Sequence, residues 1–168
     1  MRNPLLRALC RLAAAAAAVL AAYRYAWLPE DADHVVKAVT SRTQAALQMN
    51  GDRVMRIARD NIDRLQPISG ICRMSVEYHL VYAVNARILG RNNEAIEHYT
   101  AALAADHRPE IYFDRGMTYL EAGKVDAATA DIALAVRFNP QFLTDADAGM
   151  QERVAAANKS IPHDPPPP

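Results

Sequence analysis

From Val35 onward, apolar residues return at three- and four-residue intervals with polar residues between them, the spacing that lays one stripe along an α-helix. Val35, Val39 and Leu47 form one group, and Val54, Ile57, Ile62 and Leu65 form a second. The turn residues Asn50, Gly51 and Asp52 separate them, so a helix, a turn and a helix are expected. Pro67 and Gly70 interrupt the pattern between Gln66 and Ser75. It resumes at Val76 in four segments, VEYHLVYAVNARILG, NNEAIEHYTAALAAD, PEIYFDRGMTYLEAG and KVDAATADIALAVRFNP, each closing on Gly, Asp or Asn-Pro. A further helix is expected from Thr144, where Thr-Asp-Ala-Asp reads as a capped start and Ala146, Met150 and Val154 share a face. No segment alternates with a period of two between turn residues, so the expected class is all-α.

The four segments are two copies of one unit. At an offset of 33, Gly90 falls on Gly123, Ala95 on Ala128, Tyr99 on Ile132 and Ala102 on Ala135. His79, Tyr82, Ala83 and Ala86 fall on Tyr112, Arg115, Gly116 and Tyr119 in the same register. A period in this range is the mark of stacked helical pairs.

These residues resemble the tetratricopeptide repeat family. The second copy carries Tyr112, Gly116, Tyr119, Gly123, Ala128, Ile132, Ala135 and Pro140 where that motif has its aromatic, small, aromatic, turn, small, bulky, small and terminating residues. Arg115 departs from it, standing where a large apolar residue is usual. The first copy keeps Ala83, Gly90, Ala95, Tyr99 and Ala102, but has Ala86 for the second aromatic and His107 for the closing proline. The resemblance covers residues 76–142. A degenerate earlier repeat over 33–68 rests on Ala58, Ile62 and Leu65, with Arg56 and Asp60 out of register. The resemblance implies a short α-solenoid of stacked antiparallel helix hairpins, built to hold another protein rather than to catalyse.

The packing logic stands on its own. Ala83, Ala95, Gly116 and Ala128 are expected where paired helices cross, because larger side chains would push the axes beyond the usual separation of about 8–10 Å. Tyr99, Tyr119 and Ile132 are expected between neighbouring hairpins, and Gly90 and Gly123 at left-handed helix ends. One hairpin buries a face only by stacking on another, so flanking pairs or caps are expected at 33–65 and 144–158.

In a stack of this type the first helix of each pair lines the concave side. That would present Glu77, Leu80, Val84 and Ile88 from one copy and Glu110, Phe113, Met117 and Leu120 from the next, an apolar floor with an acidic edge. Peptide-clamping members of the family grip a terminal carboxylate with Lys and Asn at these places, and this chain has neither there. The expected partner is an apolar or basic helical or extended segment of another protein. The alternative is that the same residues pack on the chain's own first helices or its C-terminal helix.

The first 28 residues differ from the rest. They carry Arg2, Arg7, Arg11 and Arg24 with no acidic residue, leaving 15 basic against 19 acidic residues in the remainder of a chain with 19 of each. A basic start, the run from Leu12 to Tyr23 and the aromatic residues Tyr25 and Trp27 read as a signal peptide or membrane anchor, hence an exported, periplasmic or inner-membrane location. A mitochondrial presequence is the alternative.

The neutral overall balance argues against a nucleic-acid partner. Cys10 and Cys72 fall on either side of the leader boundary, and Cys72 reads as a small buried hydrophobe. No His-Glu-x-x-His, Cys-x-x-Cys, nucleophile-elbow or phosphate-loop pattern is present, so no catalytic residue, metal or cofactor is expected. Glu94 and His98 read as a solvent-facing pair one helical turn apart. The expected organisation is a leader over 1–28, a helical pair over 29–75, repeats over 76–108 and 109–142, a capping helix over 143–160 and a disordered proline-rich tail over 161–168. The sequence leaves the oligomeric state open, along with roles as an accessory or chaperone-like subunit of a larger complex or as a membrane-tethered spacer.

Overall fold

The computed structural model describes residues 4–22, 28–49, 51–144 and 148–160. Outside them lie the proline-rich tail, the aromatic residues of the leader's end, Asn50 and residues 145–147. Among the described residues, eight α-helices and two short 3-10 segments follow one another along the chain, with no strand. The helices are α1 (Pro4–Ala22), α2 (Leu28–Ala46), α3 (Asp52–Leu65), α4 (Val76–Ile88), α5 (Asn92–Leu103), α6 (Pro109–Glu121), α7 (Val125–Phe138) and α8 (Ala148–Ser160). The 3-10 segments are Gln66–Ile68 and Pro140–Leu143.

Helices α2 to α7 pack in sequence as three hairpins, α2 with α3, α4 with α5 and α6 with α7. Each hairpin leans on the next through α3 against α4 and α5 against α6, and α8 closes the far end on α7. Side chains 12–22 of α1 are all exposed, and no helix among the described residues is long and apolar enough to cross a membrane.

The local chemistry accounts for the helix ends. The Ser75 side chain accepts from the Tyr78 amide and caps α4, and Pro109 begins α6 where a missing N–H costs nothing. At the α4–α5 and α6–α7 turns, Gly90 and Gly123 adopt φ of 71° and 73°. The Arg91 amide reaches back to the Ala86 carbonyl at 2.9 Å and the Lys124 amide to that of Tyr119 at 2.8 Å, the same glycine-closed helix end used twice. The Thr144 hydroxyl donates to the Gln141 carbonyl and closes the Pro140–Leu143 turn; residues 145–147, which follow the expected capped start, lie outside the described residues, and the described part of the last helix starts at Ala148.

The apolar interior has two parts. One runs from Ala32, Val36 and Val39 of α2 through Ile62, Leu65, Cys72, Tyr78 and Tyr82 to Tyr99, Leu103 and Ile111. The other joins Ala128, Ile132, Ala133 and Val136 of α7 to Met150 and Val154 of α8. Ala83, Ala95, Ala102, Ala128 and Ala135 have no exposed surface. At Gly116 a Cβ would lie 2.7 Å from Ile132 Cγ1 and 3.3 Å from the Ala128 carbonyl oxygen, so α6 and α7 cross where only hydrogen fits.

Candidate functional site

Each hairpin carries cross-helix contacts that the repeat pattern leaves undefined. In the third, Arg115 of α6 donates to both carboxylate oxygens of Asp131 on α7, at 2.6 and 2.8 Å, and also to the Thr100 hydroxyl of α5 at 3.0 Å. The guanidinium lies 5.9 and 5.8 Å from the ring centres of Tyr112 and Tyr119. The residue that breaks the motif thus binds three helices together. In the first hairpin, Thr43 and Asn61 bridge α2 and α3, and Asn85 of α4 joins them.

In the second hairpin the corresponding residues are Tyr82 of α4 and His98 of α5, whose rings stack at 3.8 Å with an interplanar angle of 5°. Glu94 and His98 are therefore not a solvent-facing pair, because the side of α5 that carries them packs on Tyr82. Glu94 instead accepts the Tyr82 hydroxyl at 2.7 Å, and burial together with that bond pushes the Tyr82 pKa up to about 12. His98 Nδ1 lies 3.0 Å from His79 Nδ1, and His79 Nε2 lies 3.1 Å from the Arg73 carbonyl oxygen. Burial first, and the neighbouring His79 second, hold the His98 pKa down at about 4.

The two imidazoles line an open pocket of about 370 Å³ between the 66–75 connection and the α4–α5 hairpin. Tyr78 and Tyr82 form its apolar wall, and Gln66, Ser69 and Arg73 stand opposite. Sequence reasoning missed this site. His79 and His98 are 19 residues apart on different helices, a separation matching no ligand motif. Among the described residues no cluster of three or more His, Cys, Asp or Glu side chains is arranged around a metal position.

The groove residues expected from the repeat register are spread over two environments. Glu77 and Glu110 are exposed. Leu80 and Val84 are half-buried against the first part of the core, and Ile88 is half-buried at the end of α4. Phe113, Met117 and Leu120 are half-buried against the second part, where the Phe113 ring stacks on Phe142 at 4.8 Å. The chain's own Pro140–Leu143 turn thus covers a portion of the α6 face. Of the repeat-packing residues, Tyr99 and Ile132 are fully buried, Tyr112 and Tyr119 are half-buried, and Pro140 is exposed at the start of its turn.

No family model matches the chain, and no curated protein matches it. Among solved structures it is similar to the crystal structure of a thermophilic TPR protein from Thermus thermophilus, with 22% sequence identity and a TM-score of 0.54. The likeness covers 73% of this chain and spans 61% of that one. At that identity what is shared is the fold: an all-helical stack of the tetratricopeptide type.

Proposed function

We propose that this chain is a non-catalytic protein-interaction scaffold that receives an apolar or basic segment of another protein along α4 and α6. The observation that carries the reading is the surface pattern on those two helices. Each begins with an exposed carboxylate, Glu77 or Glu110, and continues with half-exposed apolar side chains. Such a strip supplies apolar area for a partner's side chains and negative charge for basic ones at its edge. Phe142 occupies part of the α6 strip, so Leu80, Val84 and Ile88 of α4 form the more open seat. The stacked-hairpin fold supports the same reading, since it arranges helix faces in series. Residues 1–28 act as an export signal or a tether, a role their four arginines and absence of acidic residues support.

Photo-crosslinking tests the proposal. A crosslinker at Val84 or Met117 of the full chain, expressed in its native host, is expected to capture one defined protein that a crosslinker at Glu97 on α5 does not. Val84→Lys is expected to remove the adduct formed from Met117. Equal labelling from Val84 and Glu97 overturns the groove. Intact mass and fractionation of the mature protein test the tether: a full-length product confined to the cytosol overturns that role.

A further inference from the structure

The facing imidazoles of His79 and His98 have their ring protons assigned by their surroundings. The Arg73 carbonyl can only accept, so His79 Nε2 must donate to it across 3.1 Å. A neutral His79 therefore keeps its lone pair on Nδ1, the atom that faces His98 Nδ1 at 3.0 Å. With both rings neutral, His98 then donates an Nδ1 proton into that lone pair and carries its own lone pair on Nε2. Shifting the His98 proton from Nδ1 to Nε2 leaves two nitrogen lone pairs converging on one point, with no net proton taken up or released.

We propose that this point is a site for a divalent transition-metal ion of borderline softness, held by His79 Nδ1 and His98 Nδ1 and completed by water. Imidazole nitrogens bind zinc at about 2.0–2.1 Å, which on a tetrahedral ion sets two such nitrogens about 3.3 Å apart. The observed 3.0 Å needs only a small opening of the rings. Both rings are already held. His79 is fixed through its other nitrogen by a backbone carbonyl, the outer contact that orients metal-binding histidines and sets their tautomer. His98 is clamped flat against Tyr82.

The rest of the pocket suits a hydrated cation. Its volume and open mouth leave room for the remaining water ligands, and the Gln66 amide and Ser69 hydroxyl are on its lining. Glu94, one helical turn before His98, sets a negative charge beside the site and is held there by the Tyr82 hydroxyl. The positive groups nearby are Arg73 on the rim and Arg91, which is drawn towards Glu94 at 3.6 Å. Imidazole donors favour zinc, nickel and copper(II) over magnesium or calcium.

The test is titration of the full chain, free of any added histidine tag, with zinc chloride, followed through the imidazole NMR resonances. Saturable shifts at one equivalent are expected at His79 and His98, with none from magnesium chloride. Copper(II) at a fraction of an equivalent is expected to broaden the same two residues first. His98→Phe keeps a ring against Tyr82 and removes the ligand, and His79→Ala removes the other; each is expected to weaken zinc binding by about tenfold or more. His107→Ala is expected to leave it unchanged. Shifts confined to His34, His107 or His163, no saturable shift at all, or a folded His98→Phe protein that binds zinc as tightly as the parent would each overturn the site. Should either variant fail to fold, the resonances of the parent protein decide the question alone.

Discussion

Arg115 and Asp131 form a two-bonded ion pair between α6 and α7 in a position where the preceding hairpin stacks Tyr82 on His98. The two positions differ together between the copies, and the reason is steric and electrostatic. The crossing accepts either two flat rings or a guanidinium fork on a carboxylate. A single member of one pair facing a single member of the other would leave a buried charge or an unfilled space. The Arg115 and Asp131 side chains are only 16% and 7% exposed, so the pair is desolvated and its two halves depend on each other.

Arg115→Met is therefore expected to destabilise the fold by about 3–5 kcal/mol, because it leaves the Asp131 carboxylate buried without its partner. Installing the preceding hairpin's solution, Arg115→Tyr with Asp131→His, is expected to recover most of that loss. Urea unfolding of the two proteins checks it. A double variant no more stable than Arg115→Met would show that the hairpins do not use this crossing interchangeably.

Gly116 gives a sharper test of the stack. A methyl group there meets Ile132 Cγ1 at 2.7 Å, in a crossing with no room for it. Gly116→Ala is expected to cost about 1–3 kcal/mol through overpacking, even though alanine favours a helix over glycine. A Cβ at Gly70, in the 66–75 connection, has nothing within 4 Å, so Gly70→Ala serves as the neutral control. Thermal unfolding midpoints that coincide for the two variants would mean that α6 and α7 do not meet at this residue.

The two repeats at 76–142 were legible in the sequence because their small residues are forced. Ala83, Gly116, Ala95 and Ala128 are the residues that let two helix axes approach, and that demand recurs at a fixed spacing. The first hairpin was only partly legible, because part of its interior is polar: Thr43, Asn61 and Asn85 fill space that apolar residues occupy elsewhere and so blur the stripe. The pocket was not legible at all. His79 and His98 meet only through the rotation of α4 against α5, and neither residue has a metal-binding histidine as its counterpart in the second copy, where Tyr112 and Asp131 stand.

The depressed His98 pKa makes stability depend on pH in a stated direction. With a folded value of about 4 against the ordinary 6.5, the unfolded chain binds more protons between those limits. The contribution is fully present above about 6.5 and is lost as pH falls towards 4. Allowing for solvent at the pocket mouth, the loss is expected to be of order 1–2 kcal/mol, or a few degrees in Tm. Asp114, whose pKa burial raises, acts with the opposite sign but is common to parent and variant. The difference in Tm between the parent and His98→Phe, followed from pH 7 down to 4, is expected to shift in the variant's favour. Parallel curves would remove His98 from the account.

The buried triad of Thr43, Asn61 and Asn85 decides whether the first hairpin is integral to the stack. Asn61 Nδ2 donates to Thr43 Oγ1 at 3.1 Å and to Asn85 Oδ1 at 3.0 Å, and Asn85 Nδ2 donates to Thr43 Oγ1 at 2.8 Å and to the Val81 carbonyl at 2.7 Å. The Thr43 hydroxyl gives its single proton to the Val39 carbonyl, so it meets both amides as an acceptor. Thr43→Val preserves the shape but withdraws that acceptor from two donors at once, and is expected to cost about 1–3 kcal/mol. Asn61→Asp is expected to cost more, since it replaces two donated bonds with a carboxylate facing the Asn85 carbonyl oxygen in a site with no exposed surface. If α2 and α3 belong to one cooperative unit with α4, either change lowers a single unfolding transition seen equally by far-UV circular dichroism and by tyrosine fluorescence. A separate early transition, with the α4–α7 repeats unaffected, would make the first hairpin an appendage, and the polar triad a contact between two bodies rather than part of one interior.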